Sequence, residues 1–78
     1  MPDINDLSER ECQVTELIAQ GLKYKEIAVE LGLQHETIRT YAARVRKKLG
    51  KHSRTEIAIW YVRLQYIEED VTEEEGGE

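Results

Sequence analysis

Three glycines, Gly21, Gly32 and Gly50, each close a short run in which apolar residues recur at three- and four-residue spacing, and that punctuation confines the chain to helices of modest length. The first run carries Val14, Leu17 and Ile18. It opens at "SERE", where Ser8 and Glu11 have the spacing of a capping box and Leu7 stands in the place of a hydrophobic staple. The second, over about Tyr24 to Leu31, offers Ile27, Ala28 and Leu31 to a core. The third runs from about His35 to Leu49, and a second capping box, "SRTE" from Ser53 to Glu56, launches a fourth helix expected to fade near Glu69. The β-branched residues fall inside helical periods and two-residue alternation is absent, so the expected fold is all-α, with four helices. A tight connection containing Gly32 joins the second helix to the third, which is the sequence form of a helix-turn-helix.

A chain of 78 residues has room for one small domain, near the lower limit for folding around a single core without staples. One cysteine, Cys12, permits no intrachain disulfide, and His35 and His52 have no partners at zinc-ligand spacing. Neither a cofactor nor a metal is expected, and no enzyme chemistry. Without an N-terminal basic and apolar signal, or an apolar stretch long enough to cross a bilayer, the chain is expected in the cytoplasm with no membrane contact. The helical domain is assigned to residues 1–69. The remainder, "DVTEEEGGE" over 70–78, has too little apolar material to fold and is expected to be a disordered acidic tail. Such a tail either aids solubility or competes with phosphate for basic residues elsewhere.

Charge divides the chain. The formal net charge is −5, yet the segment 34–55 holds Arg39, Arg44, Arg46, Lys47, Lys48, Lys51 and Arg54 against Glu36 alone, while both flanks are acidic. An embedded basic block is a candidate anion-binding surface. Wound at about 100° per residue, the third helix puts Ile38, Ala42, Val45 and Leu49 on one apolar stripe. The opposite face carries Glu36, Thr40, Ala43 and Lys47, flanked by Arg39 and Arg44. Thr40 and Ala43 keep the centre of that face low, and a DNA major groove about 12 Å wide admits such a helix. From spacing alone two readings stand: a nucleic-acid-binding helix, or a small bundle with a solvated charged face.

The run "LSERECQVTELIAQGLKYKEIAVELGLQHETIRTYAARVRKKLGKHSRTEIAI" resembles the LuxR/GerE type of helix-turn-helix domain. That family's pattern is roughly L-[TS]-x-R-E-x-x-V-L-x-L-[IV]-A-x-G, then N-K-E-I-A-x-x-L-x-[IL]-S-x-x-T-V-[KR]-x-H, then a basic K-L-G and R-x-[EQ]-A. Here "RE", "LIAQG", "KEIA", "ETIR" and "KKLG" recur in order over about residues 7 to 67. The resemblance implies a four-helix DNA-binding domain that regulates transcription, usually as a homodimer on an inverted repeat of duplex DNA. Three departures stand out. Lys23 and Tyr24 replace Ser-Asn before Lys-Glu-Ile-Ala, removing a cap and an amide that the family places near phosphate. Gln34 replaces a serine cap on the third helix, at a typical cost of about 1 kcal/mol. Tyr41 stands where a histidine is usual.

Carried over position by position, the resemblance makes Arg39 the basic base-reading residue, since a guanidinium binds O6 and N7 of guanine in bidentate fashion. Thr40 and Ala43 are expected to meet base edges or thymine methyls. Glu36 either accepts from cytosine N4 or repels phosphate. Thr37, in the first helical turn, is a phosphate contact or a local cap. Arg44, Lys47 and Lys48 lie farther along and suit the phosphate backbone, as do Lys25 and Arg54; the alternative for each is a solvated charge. His35 and His52 are read as surface residues and Cys12 as inert.

The fourth helix has more apolar surface than one face buries. Ile57, Ala58, Tyr61 and Leu64 form a core stripe and leave Ile59, Trp60, Val62 and Tyr66 over, which in related domains is where dimers meet. Trp60 alternatively lids the core. Met1 precedes the matched run by six residues, so a stand-alone regulator without a sensor domain is expected, unless the chain is a fragment. Two other readings are an antagonist that pairs with a larger transcription regulator and blocks its DNA binding, and a sigma-factor-like module that contacts RNA polymerase.

Overall fold

A computed structural model describes the backbone of residues 4–77 and the side chains of residues 4–65. A short 3-10 turn, Ile4–Asp6, leads into four helices: α1 Glu9–Ala19, α2 Tyr24–Leu31, α3 His35–Leu49 and α4 Arg54–Gly77. No strand occurs among the described residues. Helix α1 packs against both α3 and α4, and α2 packs against α3.

The core is the set of stripes expected from periodicity. Val14 and Ile18 of α1, Ile27 and Ala28 of α2, and Ile38, Ala42, Val45 and Leu49 of α3 are buried together with Leu7 and Ile57. Leu17, Leu31 and Ala58 are half-buried against this cluster, while Tyr61 and Leu64 are also half-buried. Two buried residues depart from apolar character, Glu11 and Thr15; Thr15 is fully enclosed and its hydroxyl has no hydrogen-bond partner among the described residues.

Capping explains where the helices begin. The Ser8 hydroxyl accepts from Glu11 N–H at 3.2 Å, and Glu11 Oε1 accepts from Ser8 N–H at 2.9 Å, a complete capping box. That same Oε1 accepts from Lys48 Nζ at 2.8 Å, so the box is also an anchor for α3. At α4 the Ser53 hydroxyl accepts from Glu56 N–H at 3.2 Å, whereas the Glu56 carboxylate reaches past Ser53 to His52 N–H at 2.7 Å. Lys23 cannot cap α2, because an ammonium has no lone pair to accept with. Glu26 compensates by accepting from Lys23 N–H at 2.7 Å. Gln34 gives α3 no side-chain cap.

Both ends of the helix-turn-helix are closed alike. Gly32 (φ 68°) lets Leu33 N–H turn back to Ala28 carbonyl at 2.9 Å, and Gly50 (φ 66°) lets Lys51 N–H reach Arg46 carbonyl at 2.9 Å. Left-handed backbone of this kind strains any residue with a Cβ. The backbone of α4 remains helical to Gly77, past Glu69 where a fade was expected and through residues 70–77 where composition predicts a disordered tail. Glutamate is a good helix former, and extending an existing helix avoids the cost of nucleation. The side chains from residue 66 on lie outside the described ones.

Candidate nucleic-acid interface

The buried stripe of α3 turns its other face outward. Glu36, Arg39, Thr40, Ala43, Arg44 and Lys47 are all exposed. An open depression of about 570 Å3 lies on this side, lined by Tyr24, Glu36, Arg39, Thr40, Ala43 and Arg46. The four residues that the sequence assigns to base contact therefore share one concave surface. Its centre is low because Ala43 ends at a methyl and the Thr40 hydroxyl donates back to the Glu36 carbonyl at 3.1 Å. That bond commits the hydroxyl proton and leaves a partner the oxygen's two lone pairs and a methyl group.

Tyr24 and Arg46 complete the lining, and sequence reasoning assigned neither to the site. The signal for Arg46 was present: it stands seven residues after Arg39 and three after Ala43, which returns it to the same helix face. For Tyr24 the sequence signals only the loss of the family's amide. In the structure Arg46 Nη1 donates to the Tyr24 hydroxyl at 3.4 Å. The Tyr24 ring also faces His35, at 6.4 Å between centroids and a 50° tilt.

Of the residues assigned to phosphate, Lys25 on α2 and Arg44 and Lys47 on α3 are exposed, and Thr37 in the first turn of α3 is half-buried. The Arg44 guanidinium sits 5.9 Å from the centroid of the Tyr41 ring. The other two, Lys48 and Arg54, have partners within the fold. Lys48 pairs with Glu11, whose side chain is 4% exposed against 43% for the lysine. Burial raises the Glu11 carboxyl, but the Lys48 ammonium and the Ser8 groups together outweigh it and hold the carboxyl below its ordinary value. Arg54 donates through Nη2 to the Leu22 carbonyl and lays its guanidinium over the Tyr24 ring, 4.9 Å from the centroid. It ties the start of α4 to the entry of α2.

On α4, Ile59 is 51% and Val62 37% exposed. Trp60 is half-buried and packs against the core. The Tyr66 side chain lies outside the described residues. Cys12 is half-buried, with its thiol within reach of the Ile4 and Leu7 carbonyls. Burial, then Glu11 and Glu9, push that thiol up and away from the reactive thiolate. No helix among the described residues is long and apolar enough to cross a membrane.

Comparison with known proteins agrees with the four-helix fold. The GerE family model, "Bacterial regulatory proteins, luxR family", matches residues 5–61. The chain is 46% identical over 52 residues to the transcriptional regulatory protein UhpA of Escherichia coli, covering 67% of this chain and 26% of UhpA. It is 40% identical over 58 residues to the nitrate/nitrite response regulator protein NarL of Escherichia coli, covering 74% of this chain and 27% of NarL. With the transcriptional regulatory protein DesR of Bacillus subtilis it shares 41% over 54 residues, 69% of this chain and 27% of DesR. The chain thus spans about a quarter of the length of these curated relatives.

Proposed function

Because the chain belongs to the luxR family of bacterial regulatory proteins, whose members bind DNA and regulate transcription, we propose that it recognises duplex DNA by sequence with α3 lying in the major groove. The observation that carries this reading is the shared concave surface of Glu36, Arg39, Thr40 and Ala43, opposite the buried stripe that fixes the helix on the core. A groove about 12 Å wide takes an α-helix whose centre bears small side chains and whose flanks bear long cationic ones. Arg39 reads guanine, Thr40 and Ala43 meet neighbouring base edges, and Glu36 at the helix start accepts from cytosine N4. Lys25, Thr37, Arg44 and Lys47 hold the phosphate backbone and set the register. We leave Lys48 and Arg54 out of that set, a choice supported by the partners each has within the fold.

Ile59 and Val62, three residues apart on the exposed side of α4, supply the apolar contact of a homodimer. A two-fold dimer asks for inverted half-sites about one helical turn apart.

The test is selection of bound duplexes from random sequence, followed by titrations at several salt concentrations. Arg39→Ala is expected to cost about 1–3 kcal/mol and to relax preference at one base-pair position. Arg44→Ala or Lys47→Ala should weaken all duplexes alike and lower the salt slope by about one unit each. An antagonist that acts by pairing with another regulator predicts none of this. Absence of salt-dependent binding to any duplex at low ionic strength would sink the DNA-binding reading and leave that alternative.

A further inference from the structure

Arg46 and Tyr24 belong to different helices and lie 22 residues apart, yet they meet at the wall of the depression. Resting on the DNA-binding reading above, we infer that Arg46 is a further phosphate contact and that Tyr24 is the residue that positions it. Arg46 lies toward the C-terminal end of α3, two turns beyond Arg39 and away from the first turn, where recognition helices read bases. Its guanidinium is drawn sideways toward the first turn of α2 by the Tyr24 hydroxyl, at 3.4 Å. In a helix-turn-helix the first helix of the pair crosses the phosphate backbone while the second enters the groove. A cation held at the junction of the two therefore lies beside the strand rather than over the bases.

Tyr24 is suited to this role because it is itself held. The Arg54 guanidinium covers its ring at 4.9 Å, and Arg54 is anchored in turn on the Leu22 carbonyl. A phenolic oxygen that accepts from Arg46 has no formal charge, so it orients the guanidinium without neutralising it, unlike the carboxylate that captures Lys48. The chain Leu22, Arg54, Tyr24, Arg46 thus transmits the placement of the α1–α2 connection and of the start of α4 to one cation on the recognition helix. Arginine keeps donors free for phosphate while one is directed at tyrosine, because its guanidinium carries five N–H groups in a fixed plane.

The experiment measures affinity for mixed-sequence duplex DNA across salt concentrations for the wild type, Arg46→Ala, Arg46→Lys, Tyr24→Phe and the double variant Tyr24→Phe/Arg46→Ala, with thermal unfolding of each. Arg46→Ala is expected to lower the slope of log K against log salt by about 0.9, and Arg46→Lys to restore it. Tyr24→Phe keeps the ring under Arg54 and loses only the hydroxyl, so its Tm should hold while affinity falls about three- to tenfold. In the Arg46→Ala background the same change should have no further effect. Independent, multiplying effects of the two substitutions overturn the positioning role of Tyr24. An unchanged slope in Arg46→Ala overturns the phosphate contact. If that happens while Arg39→Ala still relaxes sequence preference, DNA binding stands and only the present inference falls; if the wild type binds no duplex, both fall together.

Discussion

Lys47 and Lys48 are neighbours with the same charge on the same helix, but only Lys48 has a buried carboxylate against it, so replacing each by alanine should produce opposite phenotypes. Lys48→Ala leaves Glu11, 3% exposed, with the Ser8 N–H as its remaining partner. Breaking a fully buried pair costs about 3–5 kcal/mol, and an exposed one about 0–1 kcal/mol. The 43% exposure of the lysine discounts the upper figure, and we expect a loss of about 1–2 kcal/mol, with the lower end favoured if Glu11 moves outward. For a domain this small that is a fall in Tm of about 4–16 °C. Lys47, exposed and without a partner among the described residues, should leave Tm unchanged when replaced and lower the DNA salt slope instead.

The difference between wild type and Lys48→Ala should also depend on pH. The Glu11 carboxyl is held below its ordinary value in the folded protein, so its contribution is fully present above the ordinary carboxylate range, about pH 4.3. It is lost as pH falls through the lowered folded value. The gap in stability, followed by urea unfolding monitored by circular dichroism, should therefore be largest near neutral pH and close in acid. If Lys48→Ala keeps the wild-type Tm at pH 7 and lowers the salt slope by about one unit, the ion pair contributes nothing and Lys48 is a phosphate contact after all.

Thr15→Val should raise stability by about 1 kcal/mol in denaturant unfolding, since it replaces an enclosed, unpartnered hydroxyl by a methyl of the same shape; a loss of stability would show that the hydroxyl has a partner in solution. Ile59→Glu or Val62→Glu should leave helical content intact and turn a dimer into a monomer in sedimentation, whereas a wild type that is monomeric even on DNA removes α4 from the assembly. Truncation before residue 70 removes Asp70, Glu73, Glu74, Glu75 and Glu78, and should strengthen binding to random duplex at low salt but not at high salt. Affinity unaffected at every ionic strength would leave those residues no part in DNA binding.

What was legible in the sequence was local. The stripe Ile38, Ala42, Val45, Leu49 follows from helical period alone, and the complete box at Ser8 and Glu11 follows from a three-residue spacing. The same periodicity brings Glu36, Thr40 and Ala43 to one face with Arg39 at its flank, and all four line the depression. What was hidden lies in pairs distant along the chain. Lys48 finds Glu11 across 37 residues and Arg54 finds Leu22 across 32, and a sequence displays the sign of a charge without the partner that consumes it. Arg46 was overlooked for the converse reason: its position on the groove face was readable from spacing, but the tyrosine that draws it there comes from another helix. At α4 the apolar surplus was visible and its division was not, because whether Trp60 covers the core or faces a partner depends on how the helix is rotated against α1.

Gln34 leaves the recognition helix without a side-chain cap, while its far end is anchored through Lys48 and closed at Gly50. Helix α3 is therefore capped at its C-terminal end and lacks a side-chain cap at its N-terminal end. The first-turn amides receive no side-chain cap from Gln34, and they should exchange with deuterium sooner than those between Ala42 and Leu49. On the proposed reading Glu36 and Thr37 stand on that uncapped turn, which would be the end of the helix that first meets a base sequence. A phosphate arriving at those amides would supply the cap that Gln34 does not.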